Sequence, residues 1–248
     1  PRRGQLHIVG IGPGDISYLT GDARRALAKT PIWIGYSRYL DYIDSLRRKD
    51  QIRINGELTL EKERCIQSID LATQGLHVSL VSSGDSGIYG MAGLALEYLL
   101  KKPKDERPAL FIHPGISAVQ SAASKIGSPL TNDFCVVSLS DKLTPWSKIK
   151  QRINGAAKGD FVIAFYNPKS KQRTWQLIEA IKIISKFRGP ETPLVLARQV
   201  GREEEQIEIY SLGSFPVDSV DMLTTVIIGN TKSKVFDNWF LTTRGYLD

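Results

Sequence analysis

Cysteine is almost missing. Cys65 and Cys135, 70 residues apart, are the only two in a chain of 248. That excludes a disulfide scaffold and makes a reducing, cytoplasmic compartment the simpler reading. Histidine is as scarce. His7, His77 and His113 show no H-x-x-x-H spacing, and the cysteines no C-x-x-C, so metal-assisted hydrolysis is disfavoured. The chain has no G-x-x-x-x-G-K-[ST] and no G-x-S-x-G, which argues against P-loop and α/β-hydrolase chemistry. It also has no N-x-[ST] site. No apolar run approaches the roughly 18 residues of a membrane helix. The apolar stretch after the basic start PRRGQLHIVG is broken by GPGD, so no signal peptide is expected. The first residue is Pro1 rather than Met: the start was processed or trimmed, or this is a segment of a longer polypeptide.

What is present is ordinary for a folded protein. Hydrophobic residues make up 42% and charged residues 24%, enough apolar surface to build a core. At about 150 residues per domain the length allows one large domain or two smaller ones. Thirty-three Lys and Arg against 26 Asp and Glu leave a charge of +7, which draws anions. The dense basic clusters are 47–49, 101–104 and 169–173. None forms the arm or recognition helix of a nucleic-acid motif, so no nucleic acid and no membrane is expected as partner.

Apolar runs alternate with helical spacing. Strands are expected at 5–11, 31–35, 77–83 and 109–113, with helices at 19–29, 59–73, 91–102 and 116–127. This run of βα units implies a parallel sheet. Strands at 134–139 and 161–166, with helices at 146–157 and 174–187, precede strands at 193–198, 206–212 and 222–229. Little helix separates these last strands, so a mixed sheet is expected. The boundary falls near 115–130, giving an N-terminal α/β domain over 1–115 and a C-terminal α/β domain over 116–248. No internal repeat is visible.

The chemistry-bearing segments lie where strands end. Gly10-Ile11-Gly12-Pro13-Gly14-Asp15 follows the first strand. A dinucleotide fingerprint would need glycine where Asp15 stands, and that carboxylate would repel a pyrophosphate. A plain tight turn is the alternative to a ligand loop. Ser82 to Ala92 holds Gly84, Gly87 and Gly90 around Asp85, whose carboxylate suits ribose hydroxyls or an ammonium. The alternative is an N-cap for the following helix, although three glycines exceed what a cap needs. His113-Pro114-Gly115-Ile116-Ser117 is another strand end, where His113 reads as structural. Phe165 to Arg173 carries Lys169, Lys171 and Arg173, and Ala197 to Glu205 carries Arg198, Arg202 and Glu203. Both are able to meet carboxylates or phosphates, or to be solvated surface. Thr224 and Thr225 sit in an apolar strand, facing a ligand or satisfying backbone groups.

Taken in order, GIGPGD, GDSGIYGMA, PGISAVQSAA, FYNPKSKQR, ARQVGREEE and DMLTTVIIGN resemble the tetrapyrrole methylase family over essentially the whole chain. Within it they are similar to the precorrin-3B C-17-methyltransferase branch of cobalamin biosynthesis. Gly84-Asp85-Ser86 departs from the Gly-Asp-Pro of most relatives. The resemblance implies two α/β domains, the first mainly parallel and the second mixed, with S-adenosylmethionine folded into the cleft between them, and a homodimer. Carried over by motif, Pro13, Gly84, Asp85, Ile88, Tyr89, Ser117 and Ala118 contact the cofactor. So do one of Ala164 to Tyr166 (Phe165 and Tyr166 foremost), one of Leu196 or Ala197, and Thr224 or Thr225.

Methyl transfer from a sulfonium needs alignment and exclusion of water rather than a metal or a covalent enzyme intermediate. A tetrapyrrole with a carboxylate rim would be drawn to Lys169, Lys171, Arg173, Arg198 and Arg202. Ring contraction calls for proton transfers, for which Asp85, Tyr166 and Glu203 are candidates. Methylation at another carbon of a precorrin or uroporphyrinogen is the neighbouring reading. A non-enzymatic nucleotide- or RNA-binding α/β protein is the more distant one. Whether the substrate carries cobalt stays open.

Overall fold

The computed structural model describes residues 3–247; Pro1, Arg2 and Asp248 lie outside the described residues. The chain divides into two compact units between Ala118 and Val119.

The first unit runs β1 (Gln5–Gly10), α1 (Gly21–Lys29), β2 (Ile32–Tyr36), α2 (Ser37–Ile43), β3 (Ile52–Gly56), α3 (Glu61–Thr73), β4 (His77–Ser82), α4 (Met91–Leu100) and β5 (Ala109–His113). The strands form one sheet in the order β3-β2-β4-β1-β5, parallel throughout. A parallel sheet is covered on both faces, so its central strands read as continuous apolar runs. Leu6, Ile8, Ile34 and Leu80 face α3 and α4; Val9, Ile11, Trp33 and Val81 face α1 and α2. Each such side chain contributes about 1.5–3 kcal/mol by leaving water. Helix α1 shows how the sequence sets its limits. Thr20 is extended and accepts the Ala23 N–H, Ala23, Ala26 and Leu27 form the buried stripe, and Lys29 closes the last turn.

The second unit holds α5 (Ala118–Ile126), which begins at the boundary, then β6 (Gly127–Ser128), β7 (Phe134–Ser138), α6 (Trp146–Lys158), β8 (Val162–Tyr166), α7 (Gln176–Ile184), β9 (Pro193–Arg198), β10 (Gln206–Ser211), β11 (Thr224–Ile228), β12 (Ser233–Phe236) and β13 (Trp239–Thr242). Its five-stranded sheet has the order β10-β9-β11-β8-β7. β7 and β8 are parallel, while β11 is antiparallel to β8 and β9, and β10 to β9. The mixed sheet agrees with the sequence reading. One face packs on α6 and α7 through Ile163, Phe165, Leu196 and Val226. The other packs Ala164, Val195, Ala197 and Ile227 on Val119, Ala122 and Phe240. A small sheet, β12-β13-β6, stands beside it.

Several elements differ from the sequence expectation. Helix α5 starts at Ala118 because Gly115 to Ser117 belong to the preceding loop, and α7 ends at Ile184, after which the chain turns. β3, α2, β6, β12 and β13 were not foreseen. β3 is an edge strand of mixed polarity, and α2 is seven residues long with no side-chain cap. Among the described residues no helix is long and apolar enough to cross a membrane.

Candidate active site

In an all-parallel sheet every strand ends at the same edge, and ligands gather there where neighbouring strands send their chains to opposite faces. β1 and β4 are such a pair. Gly10 lies beside Ser82, the chain after β1 leads to α1 on one face, and the chain after β4 leads to α4 on the other. The two loops are tied together as they part. Gly12 and Gly84 form an antiparallel bridge, with Gly12 N–H donating to Gly84 O at 3.1 Å and Gly84 N–H to Gly12 O at 2.7 Å.

The loop after β5 crosses the same point. A Cβ on Gly115 would overlap the Gly84 carbonyl oxygen, and one on Gly10 would stand 2.7 Å from that oxygen and 2.9 Å from Gly115 N. Only glycine lets three backbones approach so closely. Gly84 adds a φ of +60°. Asp85 fastens the crossing: its Oδ2 accepts Gly115 N–H at 2.9 Å and its Oδ1 accepts Gly87 N–H at 2.8 Å. It does not cap α4, whose N-cap is Gly90 with no side-chain bond. Asp15 instead caps the short turn Ile16–Tyr18 through Ser17 N–H at 2.7 Å, and hydrogen bonding from the Ser17 side chain, then from this N–H, holds its carboxyl below the usual range.

Around this crossing stand the sequence candidates of the first unit. Pro13 and Ser117 are buried, Ala118 half-buried, and Ile88 and Tyr89 exposed, Tyr89 with a φ of 52°. The niche fits S-adenosylmethionine by its chemistry. Asp85 uses one lone-pair direction on each oxygen, so others remain for an ammonium or ribose hydroxyls. The glycine loops offer backbone groups unshielded by side chains, and Ile88 and Tyr89 offer apolar surface.

In the second unit the two-residue alternation of strands sorts the candidates. Ala164, Tyr166 and Ala197 lie on the face packed against α5. Thr225, paired with Ala197 and one residue before Val226 of the opposite face, shares it. Phe165 points the other way and its side chain is fully buried in the core against α6 and α7. Thr224 also faces away and is bonded to Asp221, donating to Oδ1 at 2.8 Å. The Tyr166 hydroxyl accepts Val119 N–H at 2.8 Å, at the first turn of α5.

The basic residues separate as well. Arg173 is only 4% exposed. It donates to Asn167 O at 2.8 Å, and its Nε has no partner. Burial lowers its pKa. Arg173, expected to meet a substrate's carboxylates, also braces loop 167–173 from inside through the bond to Asn167 O. Lys171 is exposed, while Lys169 reaches Val217 O at 3.5 Å and Asp218 at 3.7 Å. Arg198 donates to Asp221 Oδ2 at 2.8 Å. Burial would raise the Asp221 pKa, but the bonds from Arg198, Thr224 and Leu223 N–H outweigh it and hold it low. Arg202 is half-buried and Glu203 exposed. Glu204 accepts Gln199 at 2.6 Å, and Glu205 accepts Gly201 N–H at 2.7 Å.

Comparison with known proteins follows the same lines. A family model described as tetrapyrrole (corrin/porphyrin) methylases matches residues 5–216. A cobalt-factor III methyltransferase of Priestia megaterium is 42% identical over 98% of this chain, which spans only 45% of that relative's length. A probable cobalt-factor III C(17)-methyltransferase of Salmonella typhimurium is 41% identical over 97% of this chain and 99% of its own. Among solved structures, the methyltransferase CobJ superposes with a TM-score of 0.91 at 33% identity, covering 97% of this chain and all of that one. A uroporphyrin-III C-methyl transferase of Thermus thermophilus, solved with S-adenyl homocysteine, has a TM-score of 0.70 at 20% identity over 91% of this chain and 97% of its own, which shows a shared fold.

Proposed function

The chain belongs to the tetrapyrrole methylase family, and from that premise we propose that it methylates C-17 of a precorrin-3B or cobalt-factor III type tetrapyrrole, with ring contraction, in cobalamin biosynthesis. The observation that carries the reading is the glycine crossing fastened by Asp85: three loops fixed at a switch point, fit to hold a small polar donor. The relatives' names set the substrate class.

S-adenosylmethionine, when bound, supplies an electrophilic methyl group on a sulfonium. The protein's part is placement, since an in-line displacement by an electron-rich ring carbon gains most from orientation and exclusion of water. Pro13, Gly84, Asp85, Ile88, Tyr89, Ser117 and Ala118 are proposed to hold the donor. Tyr166, Ala197 and Thr225 are the second unit's donor candidates. Lys169, Lys171, Arg198 and Arg202 are proposed to meet the substrate's carboxylates. Asp85, Tyr166 and Glu203 remain the proton-handling candidates, with Asp85 the best placed to act by organising the loop. A homodimer in the cytoplasm completes the proposal, and light scattering checks the dimer.

Incubation with S-adenosylmethionine and either precorrin-3B or cobalt-factor III, followed by mass spectrometry and NMR, tests it. A gain of one methyl at C-17 is expected. No mass gain with either substrate would refute the reading, and methylation elsewhere would transfer it to another carbon.

A further inference from the structure

We propose that His113 is a positioning residue for the loop 114–118, held by a chain of side chains, Asp22–His113–His7–Gln5, that the chemistry above does not use; its bearing on the donor rests on the reading just given. His113 is the last residue of β5, and the loop that crosses Gly10 and Gly84 starts at the next residue. Its Nδ1 lies 2.6 Å from Asp22 Oδ2, and its Nε2 lies 2.9 Å from His7 Nδ1. The far nitrogen of His7 is 3.1 Å from Gln5 Oε1. The His7 ring stacks on Phe111 and His113, with centroids 4.8 and 5.2 Å apart. Both imidazole rings are thereby fixed in plane and in direction.

The outer anchor is the start of α1. Asp22 stands in its first turn, where the helix dipole favours a carboxylate. The bond to His113 holds the Asp22 carboxyl below the usual range. From the same turn Thr20 Oγ1 donates to Pro114 O at 3.1 Å. Two side chains of one helix end therefore grip consecutive residues, His113 and Pro114. The next residue, Gly115, gives its N–H to Asp85. With the Gly84 carbonyl oxygen filling the place a Gly115 Cβ would take, a small shift at His113 passes to Gly115 and Ser117.

Donor counting shows why two histidines serve here. A carboxylate only accepts, so His113 Nδ1 donates to Asp22. In a neutral His113 ring Nε2 is then the acceptor, so His7 Nδ1 donates to it, and His7 Nε2 accepts from the Gln5 amide turned to present its nitrogen. Every contact is then satisfied. Around the chain stand Asp22, Arg25 and Lys29 of α1, His77 of β4 and His7 itself. Burial, and then the charges of His113, His77 and Lys29, lower the His7 pKa to about 4, against a smaller raising effect of Asp22. His7 is therefore neutral near pH 7 and can serve as acceptor or donor as its tautomer allows.

The test uses His113→Phe, which keeps the stack and removes both bonds, and Asp22→Ala at the half-buried outer end, which removes the acceptor and suits a helix. His113→Asn, whose amide can reach Asp22 as Nδ1 does, is the conservative rescue. Two readouts are taken: hydrogen exchange of the 113–118 segment without ligand, and calorimetric affinity for S-adenosylhomocysteine. Faster exchange at 113–118 with 77–82 unchanged, and affinity weakened about tenfold, are expected in His113→Phe and Asp22→Ala, with most of both restored in His113→Asn. In turnover, KM for S-adenosylmethionine should rise while kcat stays near the wild-type value. Unchanged exchange in Asp22→Ala overturns the proposal, as does unchanged affinity in a variant whose loop has loosened. Should the wild type bind no S-adenosylhomocysteine, the donor reading falls instead, and the exchange readout alone decides whether His113 holds the loop.

Discussion

Asp85 shows how one carboxylate can fasten two loops together. Both its oxygens accept backbone N–H bonds from different loops. Asp85→Asn turns one acceptor into a donor facing an N–H group. The substitution should cost about 1–3 kcal/mol of stability and weaken S-adenosylhomocysteine binding about tenfold, read by melting and calorimetry. An unchanged affinity would remove Asp85 from the donor site. At Arg173 and Lys171 the loop gives opposite expectations. Arg173→Met leaves the Asn167 carbonyl without its partner and should lower the melting temperature. Lys171→Ala, at an exposed position, should leave stability alone and raise KM for the anionic substrate. His7 adds a pH dependence. Its folded pKa, about 4, is below the ordinary 6.5, so the unfolded chain binds the extra proton. Stability is then full above pH 6.5 and falls as the pH drops toward 4, by up to about 3 kcal/mol. Acid titration of His7→Gln should show a shallower loss; an identical curve would refute the assignment.

At the scale of elements, strand alternation decides what a motif can mean. FYNP places Phe165 and Tyr166 side by side in sequence and on opposite faces in space. The sequence made the strands legible because buried parallel strands are apolar throughout, but that same uniformity hides which residue faces which layer. Partner elements supply that information: Phe165 is buried by α6 and α7, far from it in sequence. The loops read better than the strands, since glycines gathered after a strand stand out in sequence, although what demands Gly10, Gly84 and Gly115 is the approach of loops far apart in the chain. Asp85 was legible as special but not as a fastener, because Gly115 lies 30 residues on. The chain Asp22–His113–His7 gave no sequence signal, since its members belong to three elements. Gly115→Ala tests the crossing. The added methyl meets the Gly84 carbonyl, so the variant should lose S-adenosylhomocysteine binding and melt several degrees lower; normal binding would show that the loops can part.

At the scale of the molecule, the proposed function has the +7 charge act on the substrate more than on the donor. A polyanionic macrocycle is steered by the field of the whole surface, which salt screens over about 10 Å at 0.1 M. Raising the salt from low to high concentration should therefore raise KM for the tetrapyrrole and leave S-adenosylhomocysteine affinity nearly constant in calorimetry. Equal sensitivity of the two would place the basic residues outside the substrate's path.

The Gly12–Gly84 bridge has a practical consequence for redesign. Two stretches of chain some 70 residues apart in sequence behave as one rigid part, so libraries that randomise them separately will mostly yield misfolded clones. If the donor sits there as proposed, engineers seeking to accept an altered nucleoside would do better to leave the glycines fixed and vary the exposed Ile88.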